Sequence, residues 1–147
     1  MEYRAATVED SETLVRLRNR LVAECGAPNH HVDDRLRAHF ERHLADGSLV
    51  EWLTIENGEV VATAAVEFQE FTPSDSNPSG VRGHVTNMYT APEHRGKGIA
   101  TFLLGKLKEE AAARGVNRLW MHASDMGHPV YLKFGYRDAT GYMEMNI

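Results

Sequence analysis

Met88-Tyr89-Thr90-Ala91-Pro92-Glu93-His94-Arg95-Gly96-Lys97-Gly98-Ile99-Ala100 runs from a strand through a glycine-rich turn into a helix, and its reading decides the fold. The first turn of a helix has backbone N–H groups without intrahelical acceptors and carries the positive end of the helix dipole. A turn stripped of side chains by Gly96 and Gly98 can close on a phosphate, and Arg95 and Lys97 add positive charge. It is not a Walker motif, because Gly96-Lys97 is followed by Gly98 rather than Ser or Thr. The dinucleotide pattern GxGxxG is absent after its second glycine, so ATP and NAD lose ground. On the glycines alone, a basic turn that merely caps a helix is an equal reading.

Outward from this turn the periodicity alternates between strand and helix. Tyr3–Thr7 reads as an opening strand, and Leu14, Leu17 and Leu21 keep helical spacing behind Glu9-Asp10-Ser11. Cys25–Val32 reads as a loop, and Asp33–Leu44 as a second helix ended near Gly47. The period then changes to two. Leu49–Ile55 and Val60–Phe71 flank Glu56-Asn57-Gly58-Glu59, whose Asn-Gly pair is a strong hairpin signal. Thr72–Gly83 is rich in Pro, Ser, Asp and Gly and reads as a long mobile loop at the border of a site. His84–Thr90 is a further strand; Ile99, Leu103, Leu107 and Ala111 mark a helix closed by Gly115. Arg118–Ala123 is a strand, Pro129–Phe134 a short helix opened by proline, and Tyr136–Ile147 supplies one or two last strands. This order predicts an α/β fold, a mixed central sheet flanked by helices.

The chain has 147 residues, 42% hydrophobic and 25% charged, which suits one compact domain over 1–147. No apolar run approaches the roughly 18 residues of a membrane span. The N-terminus lacks the basic-then-apolar run of a secretory signal, and one cysteine, Cys25, suits a reducing compartment. A cytoplasmic setting is the expectation. The formal charge of -5 argues against nucleic acid. Its distribution is uneven: Met1–Ala91 carries 8 basic and 15 acidic residues, Pro92–Arg137 carries 8 and 4, and all four lysines fall in the second stretch. An anionic ligand therefore belongs to the C-terminal half.

The glycine-rich turn resembles the pyrophosphate loop [RQ]-x-x-G-x-[GA] of the GNAT superfamily of N-acetyltransferases, with Arg95, Gly98 and Ala100 in the matching places. Tyr131-Leu132-Lys133-Phe134-Gly135-Tyr136 looks like the family's Y-x-K-x-G-[FY] signature, and the order of elements agrees over essentially the whole chain. The resemblance implies the GNAT fold, its sheet splayed beyond the strand His84–Thr90, with acetyl-CoA as cosubstrate lying in the opening. It assigns the main chain of Met88, Tyr89 and Thr90 to the pantetheine arm, and the N–H of Met88 to the thioester oxygen. The pyrophosphate falls to the N–H groups of Arg95, Gly96, Lys97, Gly98, Ile99, Ala100 and Thr101, with Ser124 and Lys133 completing the cofactor side.

Catalysis requires a proton for the departing thiolate and a sink for the proton of the amine. The resemblance makes Tyr131 the general acid, against the plain alternative of a packed tyrosine. Counting back four residues from Met88 gives His84, where histone-acetylating relatives carry a glutamate base; imidazole titrates in a suitable range. Glu67, His122 and Asp125 are rivals, as is an ordered water. His39 and His43 are four apart, but Phe40 breaks any HExxH pattern, and no metal is expected. Cys25 has no evident activating partner, which disfavours a covalent acetyl-cysteine route. The expected acceptor is a small cationic primary amine, attacked directly in a ternary complex, in a groove formed by Cys25–Val32, Thr72–Gly83 and Asp138–Gly141. A protein lysine, or a non-catalytic acyl-CoA sensor, is the alternative, and a homodimer is compatible with the resemblance.

Overall fold

The structure, a computed structural model, describes residues 1–26 and 30–147. The loop expected over Cys25–Val32 falls partly at residues 27–29, outside the described residues.

Strand β1 (Glu2–Ala5) leads through a 3-10 turn to helix α1 (Ser11–Glu24), and α2 (Asp33–Asp46) follows. The Arg4 guanidinium grips both carboxylate oxygens of Asp10 at 2.8 and 2.9 Å, and the backbone N–H of Thr7 donates to the same group at 2.7 Å. The acidic cap thus fixes the strand-to-helix corner. Strands β2 (Leu49–Glu56) and β3 (Glu59–Glu70) form the expected hairpin, closed by Asn57 and Gly58 at φ +53° and +80°, the two positive values of a type I′ turn. Strand β4 (Val81–Thr90), helix α3 (Ile99–Ala113), strand β5 (Leu119–Trp120) and helix α4 (His128–Phe134) complete the order.

The sheet has the order β1-β2-β3-β4-β5, antiparallel except for the parallel pair β4–β5. Leu14, Val15, Phe40, Leu49, Leu53 and Ala65 seal α1 and α2 against one face. On the other, Ile99, Leu103, Leu104 and Leu107 of α3 meet Ala62, Ala64, Val66 and Val85. Each large apolar side chain so buried contributes roughly 1.5–3 kcal/mol of transfer free energy.

Two expectations about the C-terminal half need correction. The strand expected over Arg118–Ala123 pairs only at Leu119 and Trp120, opposite Gly83 and His84. Beyond them β4 and β5 part, and among the described residues no strand pairs with the Val85–Thr90 edge of β4 on that side. The strands expected within Tyr136–Ile147 do not form: the segment joins no sheet and has no regular structure, and Tyr142, Met143, Met145 and Ile147 are exposed. Alternation marks a strand only where a free edge offers hydrogen bonds and a core receives one set of side chains, and this segment gains neither.

A third correction concerns β4. Strict period-two alternation would put His84, Thr86 and Met88 on one face of the strand. Between the pairs Ala65–Thr86 and Thr63–Tyr89, β4 has two residues where β3 has one. This bulge, with Asn87 at φ +52°, moves Met88 to the α3 face, where it packs on the core. His84, opposite Glu67, stays with Thr86 on the α1–α2 face. One extra residue shifts the phase of a period-two pattern.

Candidate active site

The gap between β4 and β5 opens into a cavity of about 690 Å³, lined by the C-terminal end of α1, the end of β4, the loop into α3, and the loop and helix 124–131. Gly96 and Gly98 stand at φ +74° and +79°, values that an L side chain rarely adopts. No atom lies within 4 Å of the place a Cβ would occupy on either. Together they turn the chain so that six consecutive N–H groups, Gly96 to Thr101, donate to no acceptor among the described residues. A single anionic group seated there would satisfy several of these donors and meet the positive end of α3. The residues present therefore fit a pyrophosphate.

Of the residues expected on the cofactor side, Met88, Tyr89, Thr90, Arg95, Gly96, Gly98, Ile99, Ala100, Thr101 and Ser124 line this cavity, with Tyr131. Lys97 and Lys133 do not; both are exposed. Arg95 departs from its expected part. Its Nη2 meets both Glu24 carboxylate oxygens at 2.7 and 2.8 Å, and its Nε donates to the Thr90 carbonyl at 2.8 Å. Its charge is spent on tying the end of α1 to the end of β4, so the cradle relies on backbone donors. Cys25, from a loop expected at the acceptor groove, also lines the cavity, as do Leu21, Glu24 and Met126, whose sequence spacing did not signal it. They come from elements packed there only in three dimensions.

Tyr131 is 9% exposed and belongs to the cavity wall. Burial raises its pKa, so the phenol keeps its proton through neutral pH. Gly127 explains how the ring is seated: a Cβ there would stand 2.7–2.8 Å from the ring and its hydroxyl. Ser124 is the cap of this corner, its Oγ accepting the Gly127 N–H at 3.1 Å. It thereby orders the glycine against which the tyrosine rests. Beside it, burial and then Tyr131 push Tyr136 up to about 12.

His84 lies outside the cavity lining. The structure gathers most of the base candidates around it. Glu67 accepts from His84 at 3.3 Å through one oxygen and contacts His39 Nε2 at 3.1 Å through the other. Hydrogen bonding by His84, opposed by burial and aided by His39, holds the Glu67 carboxyl below its ordinary pKa. The His84 ring stacks on Trp120 at 4.3 Å, and His122 stands edge-on to Trp120 at 5.5 Å. Asp125 is elsewhere, on the cavity wall. His39 and His43 serve this cluster and the α2 end, His43 Nδ1 meeting Ser48 Oγ at 2.6 Å. Among the described residues no group of three His, Cys, Asp or Glu side chains is arranged to hold a metal ion. The Phe71–Gly80 segment does not border the cavity. It folds on itself through a Ser74–Asn77 bridge and binds Asn117 through the Ser76 carbonyl. It thus stands at the far end of β4, roughly 20 Å of strand from Met88.

A mixed sheet parted beside a helix N-terminus, with a buried tyrosine lining the gap, defines a class of acyl-carrier-dependent transferases. Residues 14–136 match the model of the acetyltransferase (GNAT) family, and the chain belongs to that family. It is similar over 99% of its length, at 41% identity and a TM-score of 0.96, to a predicted acetyltransferase from Clostridium acetobutylicum solved with acetyl-CoA, of which it covers 95%. A GCN5-related N-acetyltransferase from Ralstonia eutropha JMP134 is 30% identical, with 99% and 97% of the two chains covered and a TM-score of 0.90. A glucosamine 6-phosphate N-acetyltransferase from Trypanosoma brucei brucei is 24% identical over 90 residues, 61% of this chain and 59% of that enzyme. The match thus spans less than two thirds of that relative.

Proposed function

We propose that the protein transfers an acetyl group from acetyl-CoA to an amine by direct attack in a ternary complex. The observation that carries this is the row of six unpaired N–H groups from Gly96 to Thr101 in the same cavity as Tyr131. Acetyl-CoA supplies an acyl group activated as a thioester. The loop N–H groups hold its pyrophosphate, and the edge of β4 at Met88 and Thr90 receives the pantetheine arm. The Met88 N–H takes the charge that develops on the carbonyl oxygen as nitrogen attacks. The new C–N bond replaces the C–S bond; Tyr131 gives its proton to the departing sulfur, and the proton of the amine passes through an ordered water to His84, which Glu67 holds outside the cavity lining.

The acceptor is a small cationic amine. Glu67 on the His84 side and Asp125 on the cavity wall present the negative charge that would attract it; the name of the trypanosomal relative supports a small-molecule amine as acceptor but not its charge, since that amino-sugar phosphate is net anionic. One observation favours a second reading: the Phe71–Gly80 turn does not close over the cavity, and that openness suits a lysine side chain presented by a protein. The test is release of CoA thiol from acetyl-CoA with a panel of aminoglycosides, polyamines, amino sugars, free amino acids and a lysine-containing peptide. Turnover with a small amine is expected; turnover with the peptide alone selects the second reading. Acetyl-CoA binding with no thiol release on any member marks a sensor.

A further inference from the structure

The bulge in β4 is supported from behind by a set of linked polar side chains that do not line the cavity. Apart from Asn57 of the hairpin turn, Asn87 is the only non-glycine residue with positive φ among the described residues. It sits in the middle of a strand, not in a turn. Its amide is gripped from two sides. Arg18 of α1 donates through Nη1 to Asn87 Oδ1 at 2.9 Å and reaches Thr86 Oγ1 at 3.5 Å. Asn87 Nδ2 points to Glu51 Oε2 of β2 at 3.5 Å, and the other Glu51 oxygen accepts the Thr63 hydroxyl of β3 at 2.6 Å. Asn87, Glu51 and Thr63 are all buried. None of the four lines the cavity, so none can touch acetyl-CoA there.

What they fix is the peptide between Asn87 and Met88. Neither residue has a register partner on β3, so that peptide plane lies where the regular ladder is interrupted. Asn tolerates the left-handed region better than other side chains, yet tolerance alone leaves the plane free to rotate back. Two anchored amide atoms on Asn87 remove that freedom. Polar side chains buried in a low-dielectric interior are costly unless satisfied, which keeps the set closed around its partner atoms. We propose that Asn87, held by Arg18 and Glu51, is a positioning residue that keeps the Met88 N–H aimed at the acyl oxygen of the bound thioester. This rests on the reading of Met88 given above.

Carbonyl-labelled [13C]acetyl-CoA bound to the protein tests it without any acceptor amine. A hydrogen bond to the thioester oxygen draws the carbonyl carbon resonance downfield of its position in free acetyl-CoA. Asn87→Gly keeps the positive φ without strain while removing both amide contacts; Arg18→Met removes one of them from a partly exposed helix position. In both variants acetyl-CoA affinity stays within about threefold, because the pyrophosphate loop is untouched, while the downfield displacement falls by at least about half. Turnover on any accepted amine falls about tenfold or more with KM for acetyl-CoA little changed. Glu51→Gln preserves shape and an acceptor oxygen and retains the displacement. A displacement intact in Asn87→Gly and Arg18→Met overturns the proposal, as does loss of affinity and melting temperature in step with it, which makes the set a folding element. Absence of any displacement in the wild type removes the Met88 role and this proposal together, whereas displacement kept in every variant removes this one alone.

Discussion

At the scale of single residues, the site rests on a few groups whose environment sets their protonation. Tyr131 lies in the cavity wall with its pKa raised by burial, so it stays a neutral phenol through neutral pH. Tyr131→Phe keeps the ring against Gly127 and deletes only the donor. Turnover should fall by roughly 10²–10⁴-fold with acetyl-CoA affinity retained, read by thiol release beside calorimetric titration; a loss below about threefold would return Tyr131 to packing. His84 makes a sharper case, since it faces away from the cavity lining while Glu67 and Trp120 hold its ring. His84→Gln should abolish the acidic limb of kcat/KM, measured with two acceptors of different amine pKa. A limb that follows the acceptor and ignores the substitution assigns proton removal to water or to the free amine. Tyr131 was legible in the sequence through its signature. The phase of His84 was not, because a bulge of one residue leaves no mark in a period-two pattern.

Among the elements, the junction of β4 and α3 carries the glycine turn proposed to hold the pyrophosphate. Gly98 is the residue before α3, at φ +79° with open space before it. Gly98→Val both strains this turn and fills that space, so acetyl-CoA should bind at least about tenfold more weakly in a folded protein, by calorimetry. Unchanged affinity would remove the pyrophosphate from this loop. The end of α1 acts on the same junction with the opposite sign. Glu24 neutralises Arg95 at the cavity mouth, and its carboxylate also repels an arriving pyrophosphate. Glu24→Gln should tighten acetyl-CoA binding by a few-fold, most visibly at low ionic strength, since a partly exposed pair is screened by salt. Weaker binding would mean that the pair chiefly braces the loop. The sequence marked Arg95 as a phosphate ligand from its place in a motif; the distance between Glu24 and Arg95 along the chain hid the pairing that redirects it.

For the whole molecule, the buried carboxyl of Glu51 couples stability to pH. Burial, only partly offset by the hydrogen bonds of Thr63 and Asn87 and the charge of Arg18, raises its pKa to about 7, with Glu67 adding to the rise. A carboxyl whose folded pKa exceeds its unfolded value binds more protons when folded. Its contribution is therefore full below about 4.5, the unfolded range, and is lost as pH rises through about 7. Glu51→Gln should flatten that fall, raising Tm relative to the wild type at pH 8 more than at pH 5. An equal change at both would show that Glu51 does not titrate there. Local chemistry was enough to fix from sequence the hairpin at Asn57-Gly58, the caps of the helices and the glycine turn before α3, because each depends on residues within a few positions of one another. The parting of β4 from β5, the bulge at Asn87, the Glu24–Arg95 tie and the failure of the last segment to form strands were settled only by tertiary structure. Each requires partners brought together from distant parts of the chain, and a segment's own pattern cannot say whether an edge, an ion or a buried carboxylate will be waiting for it.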